Sequence, residues 1–252
     1  MPQTIKQPFT PLARRLQYFD EHCRRHVWNG IWGAPRADAP EDDPIALSGA
    51  KHSRAGNQFD AAGYERIVDQ IARLIGPAPA WLYEVGAGAG AMLAQLAQRL
   101  GPIPMSGCDA SEYLCRLAPA ELAIRPVPAH RVAFARAIPF DSQAAGVILS
   151  VGVFLYFPDL MYADFVISSL REAYPAATLV LCEIPDLAHK PEAEKLRGPT
   201  NHLYFPRDFF RIYDPNPLFV DYQFAGSVNS GFRCHVVLKS KNFTEDNEEN
   251  ER

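Results

Sequence analysis

The chain has 252 residues, 48% hydrophobic and 21% charged, enough to bury a full core without disulfides or a structural metal. Its net charge of −4 is concentrated at one end: residues 241–252 carry five acids against two bases, which leaves the rest at −1. Arginines outnumber lysines 19 to 6 but are interleaved with acids, so no basic stripe marks a nucleic-acid surface.

Thr10-Pro11 sets the start of an N-terminal helix, with Thr as cap and Pro at the first helical position. Leu12, Leu16, Phe19 and Cys23 carry its apolar spacing to about His26. His22 and His26 stand one turn apart, but no third ligand is near, so a solvated face is expected and no metal site. Trp28 to Asn57 is rich in Gly, Pro and Asp, which predicts irregular surface structure. Trp28, Ile31 and Trp32 are too apolar for a pure linker and call for a packing partner. Asp60 to Ile75 reads as a second helix whose buried stripe is Tyr64, Ile67, Ile71 and Leu74.

From Ala80 onward short apolar strands alternate with helical segments. The strand candidates are Trp81–Val85, Ile103–Cys108, Arg131–Phe134, Val147–Val151 and Thr178–Glu183; the helices are Ala89–Leu100, Ser111–Leu117 and Leu160–Tyr174. Such alternation predicts an α/β fold with a parallel sheet covered on both faces. After Glu183 the pattern changes. A polar loop from Pro185 to Thr200, in which Pro185 and Pro191 limit helix formation, leads to a short helix at Pro206–Tyr213. Phe219–Phe224 and Phe232–Lys239 are strands joined by so short a loop that they must pair antiparallel. The expected organisation is an N-terminal helix and arm (1–57), one domain (58–240) and a disordered acidic tail (241–252). The five cysteines are widely spaced without a C-x-x-C pair, and Cys182 and Cys234 lie in strand-like runs as small core residues. The longest apolar run, Gly146 to Phe157, falls short of the ~20 residues of a membrane span. With no basic-then-apolar start, a cytoplasmic protein is expected, without a membrane partner.

The most informative segment is Trp81-Leu82-Tyr83-Glu84-Val85-Gly86-Ala87-Gly88-Ala89-Gly90. A strand runs into alternating glycine and alanine, then into a helix, so that backbone N–H groups can approach a nucleotide-like ligand closely. Gly86-x-Gly88-x-x-Ala91 also satisfies the looser dinucleotide fingerprint, which keeps NAD open as a cofactor. Glu84, a carboxylate just before the loop, suits a cationic ligand better than a pyrophosphate.

Glu84-x-Gly86-x-Gly88-x-Gly90 resembles the first motif of class I S-adenosylmethionine-dependent methyltransferases, and the likeness extends from about Tyr64 to Lys239. It implies a Rossmann-like, doubly wound, mostly parallel seven-stranded sheet with an antiparallel C-terminal strand, here preceded by the N-terminal helical arm. It implies S-adenosylmethionine as cofactor, held by Glu84, Gly86, Ala87 and Gly88. Asp109, 25 residues after Glu84 and followed by Ala110, corresponds to the acid that accepts hydrogen bonds from both ribose hydroxyls. Ala135-Arg136-Ala137-Ile138-Pro139-Phe140 resembles the family's Ala-x-x-Leu-Pro-Phe, and Ser150 ends the strand that lines the methionine end of the cofactor. Phe134 replaces the Asp that grips the adenine amino group, so adenine recognition would rest on stacking and on the backbone at Ala135. Gly146 replaces another usual Asp.

Methyl transfer is an in-line displacement that alignment alone can accelerate, so no catalytic signature is required, and none is visible. Candidates come from loops at the carboxyl ends of strands: Phe154, Tyr156, Phe157 and Asp159 after one strand, then Glu183, Asp186 and His189, then His202 before Tyr204-Phe205. Tyr156, Glu183 and His202 are the expected substrate contacts, and His202 the expected base, an imidazole titrating near ~6.5 when unperturbed. Leu47-Ser48-Gly49-Ala50-Lys51-His52-Ser53-Arg54 resembles the Ser-Gly-x-x-Ser segment of some small-molecule and saccharide methyltransferases. That likeness implies a lid, with Ser48 or Arg54 near the methionine carboxylate. The sequence thus points to methylation of a small molecule, such as a saccharide or another metabolite hydroxyl. A NAD-dependent oxidoreductase and a non-catalytic S-adenosylmethionine binder remain the alternatives, and the oligomeric state is not legible.

Overall fold

The computed structural model describes residues 61–126, 138–224, 227 and 229–240, with residues 32, 34–35 and 43–47 of the arm. Seven strands form one sheet: β1 (Leu82–Val85), β2 (Met105–Asp109), β3 (Arg125–Pro126), β4 (Val147–Val151), β5 (Thr178–Pro185), β6 (Leu218–Asp221) and β7 (Arg233–Leu238). Their order is β3-β2-β1-β4-β5-β7-β6. The first five pair in parallel, while β7 runs antiparallel to both β5 and β6. This is the Rossmann-like, mostly parallel sheet with an antiparallel C-terminal strand that the sequence leads one to expect.

Side chains alternate across this sheet, so its central strands are apolar on both faces. Tyr83, Ile148, Leu179, Leu181 and Val236 pack on the face that carries α5 (Leu160–Ala173). Leu82, Leu149, Val180, Cys182 and Val237 pack on the other, against α2 (Ala61–Ile75) and α3 (Ala91–Leu100). Helix α2 buries Tyr64, Ile67 and Ile71 as the spacing requires and adds Val68 and Ile75, whereas Leu74 is only half-buried. Cys182 and Cys234 are core residues, as expected. Helix α4 (Glu112–Leu117) follows β2, capped by Ser111, whose hydroxyl accepts from the Leu114 N–H.

Several expectations are corrected. The segment 185–200 is not a loop: β5 continues to Pro185, and α6 spans Lys190–Arg197. Pro191 falls in the first turn of α6, where its missing N–H has no helical acceptor to lose. The helix at 206–213 is a 3-10 helix, Arg207–Ile212, wound around the packed rings of Phe205, Phe209 and Phe210. β6 ends at Asp221 rather than Phe224. β3 is a two-residue strand the pattern does not announce, and the expected strand Arg131–Phe134 lies outside the described residues, as do the N-terminal helix and the acidic tail. No helix among the described residues is long and apolar enough to cross a membrane.

Gly146 explains itself in the fold. A Cβ there would stand 2.1 Å from Cε2 of Trp81. The indole cannot withdraw, because it stacks on Phe140 at 5.3 Å and donates from Nε1 to the Asp141 carbonyl at 3.1 Å. Gly146→Ala should therefore cost ~1–3 kcal/mol in urea unfolding without changing affinity for the cofactor. A variant as stable as the wild type would show that Trp81 is free to move.

Candidate active site

The glycine loop is fixed from three sides. The N–H groups of Gly86 and Ala87 both donate to the Cys108 carbonyl, at 2.8 and 2.9 Å, which locks the loop onto the end of β2. Gly86 has φ +82°, and a Cβ there would lie 2.2 Å from Cγ2 of Val153, so both its conformation and its space demand glycine. Gly88, at φ +55°, would bring a Cβ no nearer than 3.7 Å to Leu114, so its left-handed backbone rather than crowding calls for glycine. Ala87 is buried against Gly107.

Two carboxylates border this loop. Asp109 accepts from the Gly88 N–H at 2.8 Å and from the Ser111 N–H at 2.7 Å; the Ala110 N–H also lowers its pKa. Burial nevertheless holds the Asp109 pKa above the usual carboxylate range. Glu84, the last residue but one of β1, is 2% exposed, and its Oε2 has no hydrogen-bond partner. Burial, and then the charge of Asp109, push its pKa up to about 8. A buried carboxyl without a partner is costly, and a positive ligand group beside it reverses that cost. The pair thus fits a cationic ligand with hydroxyls to satisfy Asp109, and it would oppose a pyrophosphate.

Ser150 is buried at the end of β4, and its hydroxyl donates to the Val85 carbonyl at 3.1 Å, tying β4 to β1 behind the loop. Phe134 and Ala135 lie outside the described residues, as do Ser48, Arg54, His22 and His26. What is described of the arm does pack on the site. Ala46 and Leu47, in the short helix α1 (Pro44–Leu47), are buried with Ala89, Tyr113 and Leu114, and the Trp32 carbonyl accepts from the Ser111 hydroxyl at 2.7 Å.

Across the carboxyl edge of the sheet, two of the three expected substrate residues, Tyr156 and His202, come together. The Leu203 N–H donates to the Leu155 carbonyl at 2.9 Å, and the rings of Tyr156 and His202 meet edge to face at 5.8 Å. Glu183 sits at a register shift in β5 with φ +59°. Its Oε2 lies 3.8 Å from where a Gly152 Cβ would be, next to the Val153 that abuts the glycine loop. Burial first, then the charges of Arg233 and Arg197, lower the His202 pKa to about 4, and its Nδ1 has no partner. The unperturbed value near ~6.5 is thereby corrected. Other candidates have structural partners instead. Asp159 caps α5, Asp186 is buried in an ion pair with Arg207 at 2.8 Å, Phe154 and Phe157 are core, and His189 is exposed. Sequence reading passed over Arg197 and Arg233, the first inside an assumed loop, the second inside an apolar strand run. No group of three or more metal-ligating side chains occurs among the described residues.

Residues 83–171 match the family model described as a methyltransferase domain. No curated protein matches the chain in sequence. Among solved structures, magnesium protoporphyrin IX methyltransferase from Synechocystis PCC 6803 with bound SAH is similar at TM-score 0.52 and 14% identity, covering 91% of this chain and all of that one. A protein of Pyrococcus horikoshii OT3 is similar at TM-score 0.54 and 12% identity, over 76% and 98% of the two chains. The plantazolicin methyltransferase BpumL, in complex with a pentazolic desmethylPZN analog and SAH, matches at TM-score 0.51 and 12% identity over 90% and 99%. At such identities these structures speak to the fold. Fold and glycine loop together define the class I methyltransferase architecture. Residues 83–171 thus form a methyltransferase domain within a fold of the class I S-adenosylmethionine-dependent type, and S-adenosylmethionine is the cofactor such a domain uses.

Asp109 is proposed to bind the cofactor ribose while also ordering the loop. Asp109→Ala should weaken S-adenosylmethionine binding by about one to two decades, the worth of a charge-assisted contact of ~1.5–3 kcal/mol. It should also lower the stability of the ligand-free protein, because the Gly88 and Ser111 N–H groups lose their acceptor. Calorimetric titration and thermal unfolding check the two effects; unchanged affinity would remove Asp109 from the binding site.

Proposed function

We propose that the chain methylates a hydroxyl of a small molecule, a saccharide or another metabolite, seated between the glycine loop and the Tyr156–His202 pair. The observation that carries this reading is the edge-to-face pair of Tyr156 and His202 beyond the carboxyl end of β4, with Glu183 beside Gly152 in the turn whose Val153 abuts Gly86. When bound, S-adenosylmethionine supplies an electrophilic methyl carbon, and its carbon–sulfur bond pair passes to sulfur as the acceptor oxygen bonds to carbon. The chain's own residues align the acceptor and manage its proton. Val153, packed on Gly86, sets the separation of the two half-sites. The depressed His202 pKa keeps the imidazole neutral at physiological pH, with Nδ1 unpartnered and able to take the hydroxyl proton. The arm around Leu47 packs over the glycine loop, and we assign it the role of a lid that limits access of water.

With His202 as base, His202→Gln should depress turnover by ~10²–10⁴ at unchanged cofactor affinity. With S-adenosylmethionine saturating, the wild-type kcat/KM for the acceptor should hold level from pH 8 down through 6 and fall only toward about 4, where the imidazole of the acceptor-free enzyme gains its proton. A full-rate His202→Gln variant would leave alignment as the source of catalysis.

A further inference from the structure

Arg233 opens β7 opposite Pro185, which places its side chain at the same carboxyl edge as Glu183 and His202. It is 8% exposed; its Nη1 meets the Glu183 Oε2 at 2.6 Å, and its Nε has no hydrogen-bond partner. Arg197, near the end of α6, contributes a second guanidinium close enough to depress the His202 pKa together with Arg233. Among the described residues the partners of Arg197 are neutral: the Asn229 Oδ1, the Tyr204 hydroxyl at 3.2 Å, the Ala193 carbonyl and the face of the Phe232 ring. Among the described residues, then, Glu183 pairs with Arg233 and no carboxylate is seen to pair with Arg197. Burial and the charge of Arg233 both disfavour the charged form of Arg197, although contact with Tyr204 opposes them. Partly buried excess charge of this kind is costly unless something answers it. Two further buried polar atoms, Thr200 Oγ1 and His202 Nδ1, also lack hydrogen-bond partners.

We propose that the acceptor carries a carboxylate, bound by Arg197 and Arg233 next to the His202 edge of the site. A single carboxylate matches the one uncompensated charge, and its planar pair of oxygens suits guanidinium donors. Its charge also offsets the field that holds the His202 pKa down, so binding of the acceptor strengthens the base that acts on it. In this role the carboxylate anchors the molecule, and the transferred methyl group goes to a different oxygen.

The inference rests on the acceptor site lying at this edge, and its test reads binding rather than turnover. The full chain saturated with S-adenosylhomocysteine is titrated with benzoate, with the neutral isostere benzamide, and with inorganic phosphate. Benzoate should bind while benzamide does not. Arg197→Gln should weaken benzoate at least tenfold with S-adenosylhomocysteine affinity unchanged. Glu183→Gln, which frees Arg233 from its ion pair, should tighten benzoate several-fold. His202→Gln should leave benzoate bound whatever it does to the rate, so failure of the base assignment and failure of this inference are read separately. Equal binding of benzoate and benzamide, indifference to Arg197→Gln, or loss of benzoate in Glu183→Gln would overturn the proposal. Phosphate binding tighter than benzoate would overturn the carboxylate assignment.

Discussion

Glu84, the last residue but one of the first strand, is buried beneath the glycine loop, and the site is organised around its carboxyl. Protein supplies no partner for its Oε2, while Asp109 stands near enough to raise the cost of ionising it. Two acids in one buried corner form a stable arrangement only when one is protonated or when a cation joins them. The fold accepts the first condition by itself and the second with ligand. Three contacts set the loop geometry around that corner. Gly86 turns the backbone away against Val153, the Cys108 carbonyl captures two N–H groups, and Asp109 captures a third.

The acceptor side is built from a different material. Loops after β4 and β5 meet through one backbone hydrogen bond, Leu203 to Leu155, and the antiparallel strand β7 delivers a buried arginine to the same edge. A parallel strand in that position would begin at the opposite edge, so the reversal of β7 is what brings Arg233 to Glu183. Glu183 itself is held in left-handed backbone at a shift in strand register, the type of local strain that concentrates where function needs a side chain aimed.

The cofactor half of the site was legible because its chemistry is local: strand, glycines, helix and acid follow one another in the chain. That Tyr156 and His202 would come near one another was legible only through topology, since the ends of parallel strands share an edge. The two arginines were not legible. Arg233 sits in a run whose apolar neighbours announce a strand and conceal one charged residue at its mouth, and α6 was hidden by Pro191, which reads as a breaker unless it is placed in the first turn. Gly146 looked like a departure from the resemblance until the fold showed the Trp81 indole occupying its space. The depressed His202 pKa depends on burial and on charges 5 and 31 residues away in the chain, which no spacing rule exposes.

The central claim is that a buried acid pair at the glycine loop selects a cationic nucleoside, and calorimetry tests it directly. The full chain is titrated with S-adenosylmethionine and with NAD at pH 7, in two buffers of different ionisation enthalpy. Glu84, with its pKa raised to about 8, is largely protonated at that pH without ligand and must ionise beside a cation. S-adenosylmethionine should therefore bind with release of a proton, Glu84→Gln should abolish that release, and NAD should not bind. Binding of NAD in preference to S-adenosylmethionine, or proton release unaffected by Glu84→Gln, would contradict this account of the site.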